Sequence, residues 1–249
     1  MFSRLSRLAK RLFWPVLILV FAMSLALVLW SGRAETMGFR DAACSFEDKM
    51  PGCMDSVVAW KAGLAFFDSS LALSGDTLHS LKSLLWEYWN IEFAGAGDSA
   101  VSENAILPLR VLNTGKSGCI GLSWLAMMVS EERNVPLSVI LLPGHVFLRY
   151  GNSETAVNLE PNRRGFSYTD AEYREKYKAG PWTGLEFKPL TSTQFVGLAA
   201  FDMGNLFLDT DLRRALTWYR MAEEFFPEYP GIKVNQEIAK SRLDRKSVV

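Results

Sequence analysis

The chain has 249 residues, 49% of them hydrophobic, and 27 basic against 27 acidic side chains, for a formal net charge of zero. That balance excludes a nucleic-acid footprint, and Arg163 with Arg164 is too small a basic cluster to supply one. The length suits one domain with a sizeable core plus an appendage.

Arg4, Arg7, Lys10 and Arg11 precede an uncharged apolar run over 13–30. As a helix at 1.5 Å per residue the run spans roughly 27 Å, just enough to cross a bilayer. Pro15 falls in its first turn, where it costs little. Basic residues stay on the cytoplasmic side. The expectation is therefore a basic cytoplasmic N-terminus over 1–12, a transmembrane signal anchor over 13–30, and a periplasmic main domain held at the inner membrane by a single pass. The run exceeds the apolar core of an ordinary signal peptide, which favours an anchor over cleavage near Gly32 and Ala34.

Of the three cysteines, Cys44 and Cys53 flank a segment containing Pro51 and Gly52, a turn able to bring two sulfurs together. A bridge there leaves Cys119 as the odd thiol, where a reactive group is looked for. Residues 55–93 read as helices: Val57, Val58, Leu64, Phe66 and Phe67 form one apolar group, and Leu78, Leu81, Leu84, Leu85 and Trp86 form a second after a cap at Asp76. His79 sits there among polar residues and reads as solvated or supporting. Residues 94–99, rich in small residues, form a loop.

Cys119 follows GKSG and opens a helix-like stretch ending near Arg133. A thiol at a helix start meets the positive end of the helix dipole and unpaired N–H groups, which favour thiolate and suit an oxyanion. The aliphatic run 135–142 is a buried strand, and Pro143 and Gly144 turn it into His145. Two extended runs, 145–150 and 155–160, flank the turn-rich Gly151, Asn152, Ser153 and Glu154. With Asn152 and Ser153 as a two-residue loop, paired numbers total 305 and Glu160 lies directly opposite His145, their side chains on one face. Asn158, two residues away on that face, is the reserve for orienting the histidine. Residues 168–177 read as a surface helix whose Tyr168, Tyr173 and Tyr177 are packing groups. Over 194–242 the periodicity is helical, and Ala215, Tyr219, Ala222 and Pro227 are spaced like the second half of a tetratricopeptide repeat. A single unit has little concave surface, so it should dock on the preceding domain, with binding of a partner protein through this tail as the lesser role.

Together, GKSGCIGLSWL, LLPGHVFLRY and VNLEPNRRGFSYTDAEYREKY resemble the transglutaminase-like superfamily, in the branch followed by tetratricopeptide-type helices. The likeness covers about 100–230. It implies an α+β, papain-like core, so the expected fold class is that core over 31–190 with a helical N-terminal part and a C-terminal helical hairpin over 191–249, preceded by the one transmembrane helix read from the apolar run. By the same resemblance Cys119 is the nucleophile, His145 its base and Glu160 the orienting acid, although the superfamily's usual acid is Asp. The implied function is a membrane-anchored thiol enzyme acting on an amide bond of a protein or peptide, as a peptidase or amidase before a transamidase. A noncatalytic binding module of the same fold is the alternative. Neither cofactor nor metal is expected, since Cys119, His145 and Glu160 lack the clustered spacing of metal ligands.

Overall fold

The computed structural model describes residues 37–95, 102–151 and 156–247. Helix α1 (Phe39–Phe46) buries Phe39, Ala42, Ala43, Cys44 and Phe46. A turn through Gly52, whose φ of 76° favours glycine, returns Cys53 to α1, and Cys44 and Cys53 are bridged with Cα atoms 5.8 Å apart. Helix α2 (Val58–Ser74) buries Leu64 and Phe67, while Val58 at its start is 77% exposed, outside the apolar group the sequence suggested. Asp76 caps α3 (Thr77–Ser83) by accepting the His79 N–H at 2.9 Å, and the His79 residue is exposed.

Strand β1 (Glu92–Phe93) pairs in parallel with β2 (Lys116–Ser117) across α4 (Glu103–Ile106) and α5 (Pro108–Thr114). Most of the loop expected over 94–99 lies outside the described residues. Helix α6 (Cys119–Arg133) follows at once and is buried throughout 120–129. Such a helix is apolar all round because every side meets protein. Trp124 at its centre donates its indole N–H to the Phe39 carbonyl at 2.9 Å. It also meets Phe46 and Phe195 edge-on, with centroids 5.1 and 5.8 Å away.

Strands β3 (Leu137–Leu142), β4 (His145–Tyr150) and β5 (Val157–Leu159) form an antiparallel sheet in that order. Leu142 pairs with His145 across the Pro143, Gly144 turn, so the histidine opens its strand. In the next ladder Leu148, Arg149 and Tyr150 face Leu159, Asn158 and Val157. Those numbers total 307, not the expected 305. The connection is thus longer than a two-residue turn, and the Asn152 and Ser153 loop proposed from sequence lies outside the described residues. A shift of two keeps every side chain on its expected face.

Helix α7 (Asp170–Lys176) starts at a capping box of Thr169 and Glu172. The C-terminal part consists of α8 (Ser192–Phe207), α9 (Leu212–Phe225) and α10 (Pro230–Ser247). Ala215, Tyr219 and Ala222 are fully buried. Gly204 permits their close approach: a Cβ there would meet the Tyr219 ring at 2.4 Å. Phe195 of α8 packs on Trp124, and Arg214 of α9 pairs with Glu103 at 2.8 Å, so these helices sit on the N-terminal part.

The architecture is α+β with a helical C-terminus. One component of the expected fold class is corrected: among the described residues no helix is long and apolar enough to cross a membrane. The segments 1–12 and 13–30 lie outside the described residues.

Candidate active site

Three elements converge on one point. Cys119 is the first residue of α6, with Gly118 as N-cap. That start is fixed by the Gly118 N–H donating to the Ala105 carbonyl at 3.0 Å. Gly121, one turn in, lets the backbones meet, since a Cβ there would come within 2.2 Å of the same carbonyl oxygen. The thiol is half-buried and reduced. It is hydrogen-bonded to the imidazole of His145 at the start of β4.

His145 Nε2 lies 3.0 Å from Glu160 Oε2. Both residues are buried, His145 at 8% and Glu160 at 1% exposure. Glu160 is the residue after β5 and bridges to Phe166, and it caps the following 3-10 turn Pro161–Arg163. Extending the ladder would set it opposite Phe147, which makes it the diagonal neighbour of His145 on the same face. Long side chains reach across such a diagonal. The expectation that Glu160 lies directly opposite is therefore corrected, while its side chain still meets the imidazole.

Glu160 is well supplied with donors. Oε2 accepts from the Tyr173 hydroxyl at 3.1 Å as well as from His145, and Oε1 accepts from the Asn162 N–H at 3.1 Å. Burial raises the carboxyl pKa, but the hydrogen bond and charge of His145, with the Asn162 and Tyr173 donors, outweigh it and hold the pKa below the usual range. For His145 burial acts downward, yet negative charge and hydrogen bonding at Cys119, then at Glu160, push the imidazole up to about 9. With Glu160 ionised, Nε2 carries a proton and donates it, which leaves Nδ1 for the thiol.

Asn158 takes no part. Its amide accepts from Arg149 at 2.8 Å and donates to Asp170 and the Tyr168 carbonyl, so the reserve candidate serves the far end of the hairpin. Reading the tyrosines as packing missed two contacts. Tyr173 is fully buried and bonds Glu160, and Tyr177 stacks on His145. Their spacing of four, one helical turn, was the available signal.

Cys119 and His145 open into a cavity of about 400 Å³ lined also by Phe93, Leu198, Phe201, Asp202 and Tyr229. Asp202 was not singled out from sequence, although it is the one charged residue in the otherwise uncharged run 195–208.

The transglutaminase-like superfamily model matches residues 34–197, about two thirds of the chain, and contains Cys119, His145 and Glu160. The chain belongs to the transglutaminase-like superfamily. The match stops within α8, so it does not bear on the tetratricopeptide-like reading of the tail. Comparison with curated proteins and with solved structures gives no match.

Proposed function

We propose that the protein is a thiol enzyme acting on an amide bond, with Cys119 as nucleophile, His145 as proton carrier and Glu160 as the group that orients it. The observation supporting this most strongly is the continuous line from the Cys119 thiol through His145 to the Glu160 carboxylate 3.0 Å beyond, at the wall of a cavity. Thiolate sulfur attacks the carbonyl carbon, and the oxyanion is met by N–H groups at the start of α6 that have no partner within the helix. His145 gives its proton to the leaving amine as the C–N bond breaks, and a thioester remains. Water then attacks the thioester while His145 takes the proton, the C–S bond breaks, and acid and free enzyme result. Glu160 stabilises the imidazolium and fixes its tautomer without accepting the proton. An amine in place of water makes the reaction a transamidation; hydrolysis needs no second binding site.

The Cys44–Cys53 bridge supports an oxidising, extracytoplasmic compartment for this reaction. The test uses p-nitrophenyl acetate. A burst of nitrophenolate matching the enzyme concentration, with an acetyl adduct mapped to Cys119 and both lost in Cys119→Ala, is expected. Absence of burst and adduct in the folded parent would leave the noncatalytic module as the better account.

A further inference from the structure

The cavity holds a second acidic group beyond Glu160. Asp202 lies on α8 and lines the same cavity as Cys119 and His145, although it falls outside the residues 34–197 that define the family match. Among the described residues it has no ion-pair partner, and its hydrogen bond is to Asn205, one turn along the helix. Among the described residues the one cationic side chain lining the cavity is His145, which is already paired with Glu160. Beside Asn205 the α8 side of the cavity is aromatic and aliphatic: Phe201 and Tyr229 meet edge-on with centroids 5.2 Å apart, and Leu198 lines it too.

Asp202 is half-buried, and a carboxyl withdrawn from water with no cation of its own is costly unless something charged arrives to meet it. Desolvation raises the Asp202 pKa to about 7, against the smaller opposing effect of Asn205. A bound cation would draw the group to its ionised form, and the neighbouring rings favour a cation over their faces. A divalent metal fits poorly, since no group of three His, Cys, Asp or Glu side chains able to hold one occurs among the described residues.

We propose that Asp202 is a specificity-determining residue that receives a primary ammonium group of the substrate, so that the enzyme selects amides carrying a free amine near the bond attacked by Cys119. This rests on the thiol-enzyme reading and narrows its substrate class. An α-ammonium and a side-chain ammonium present the same charge and three donors.

The test measures the rate of disulfide formation at Cys119 at pH 8 with three methanethiosulfonates, bearing a 2-aminoethyl, a methyl and a 2-sulfonatoethyl group. In each, the thiolate attacks the thiosulfonate sulfur and methanesulfinate leaves. The parent should prefer the aminoethyl over the sulfonatoethyl reagent. Asp202→Asn should reduce that preference by at least about tenfold with the methyl reagent unchanged, and Asp202→Glu should retain it. Protection against the methyl reagent then separates the two amine sources: Nε-acetyl-lysinamide offers only the α-amine, Nα-acetyl-lysinamide only the side-chain amine. Protection of the parent by either, lost in Asp202→Asn, supports the assignment. An unchanged preference in Asp202→Asn, or protection by neither amide, overturns it. Slow reaction of the parent with all three reagents would remove the thiol-enzyme reading, and this inference with it.

Discussion

Tyr177 lies flat against His145, with ring centroids 5.4 Å apart and planes 5° from parallel. The phenol ring covers one face of an imidazole that is cationic below about pH 9, so it both shields the ring and stabilises its charge. Tyr177→Leu should slow alkylation of Cys119 about tenfold at neutral pH while leaving the fold intact, and Tyr177→Phe should behave like the parent. Second-order rates with iodoacetamide check this; a parent-like Leu variant would mean the stack does nothing for the site.

Tyr173 donates a hydrogen bond to the same carboxylate oxygen that accepts one from His145 Nε2–H. Burial, then the Glu160 charge, push its hydroxyl far above the ordinary range, so it remains a donor at every working pH. Tyr173→Phe deletes one hydrogen bond to a charged group and should cost about 1.5–3 kcal/mol of stability. Urea unfolding of the two proteins measures it. Because Glu160 keeps the Asn162 N–H, the histidine should still be oriented, and alkylation should fall far less than in Glu160→Gln.

The two buried partners give stability opposite pH limits. His145 has its folded value raised to about 9, so its contribution is complete below about 6.5, the unfolded value, and is lost as pH rises through 9. Glu160 has its folded value lowered, so its contribution is complete above the ordinary glutamate value and is lost as pH falls below it. Thermal unfolding of the parent and His145→Gln from pH 5 to 10 should show a gap in Tm that is widest near pH 6 and narrows steadily toward pH 9. A gap that widens over that interval would contradict the assignment.

The bridge between Cys44 and Cys53 closes a short loop, with a sequence separation of 9. Loop-closure entropy then gives about 2.5 kcal/mol of stabilisation. Denaturant titration of Cys44→Ala/Cys53→Ala should show a loss of this order. Thiol counting on the unreduced, unfolded parent should find one free group, Cys119; three would contradict the bridge.

The sequence carried much of this geometry. The helix opening at Cys119 and the strand opening at His145 begin and end where the motif boundaries put them, because Gly118 and the Pro143, Gly144 turn are punctuation that needs no tertiary context. The convergence of Glu160 on His145 was legible as a matter of parity, and the exact pairing was not: register depends on the connection between β4 and β5, whose turn residues permit several lengths. Tyr173, Tyr177 and Asp202 were hidden for a different reason. Their partners lie across the packed interior, and a tyrosine or a lone carboxylate on a helix carries no local sign of what it faces. The apolar run over 13–30 remains a sequence reading outside the described residues.

Activation of Cys119 by His145 is tested by the rate of Cys119 alkylation by iodoacetamide against pH, in the parent, His145→Ala and Glu160→Gln. The parent should label much faster than an ordinary thiol at pH 7, His145→Ala should fall to the ordinary rate, and Glu160→Gln should lie between, with all three folded by circular dichroism. Slow labelling at the same rate in all three proteins would contradict activation by His145.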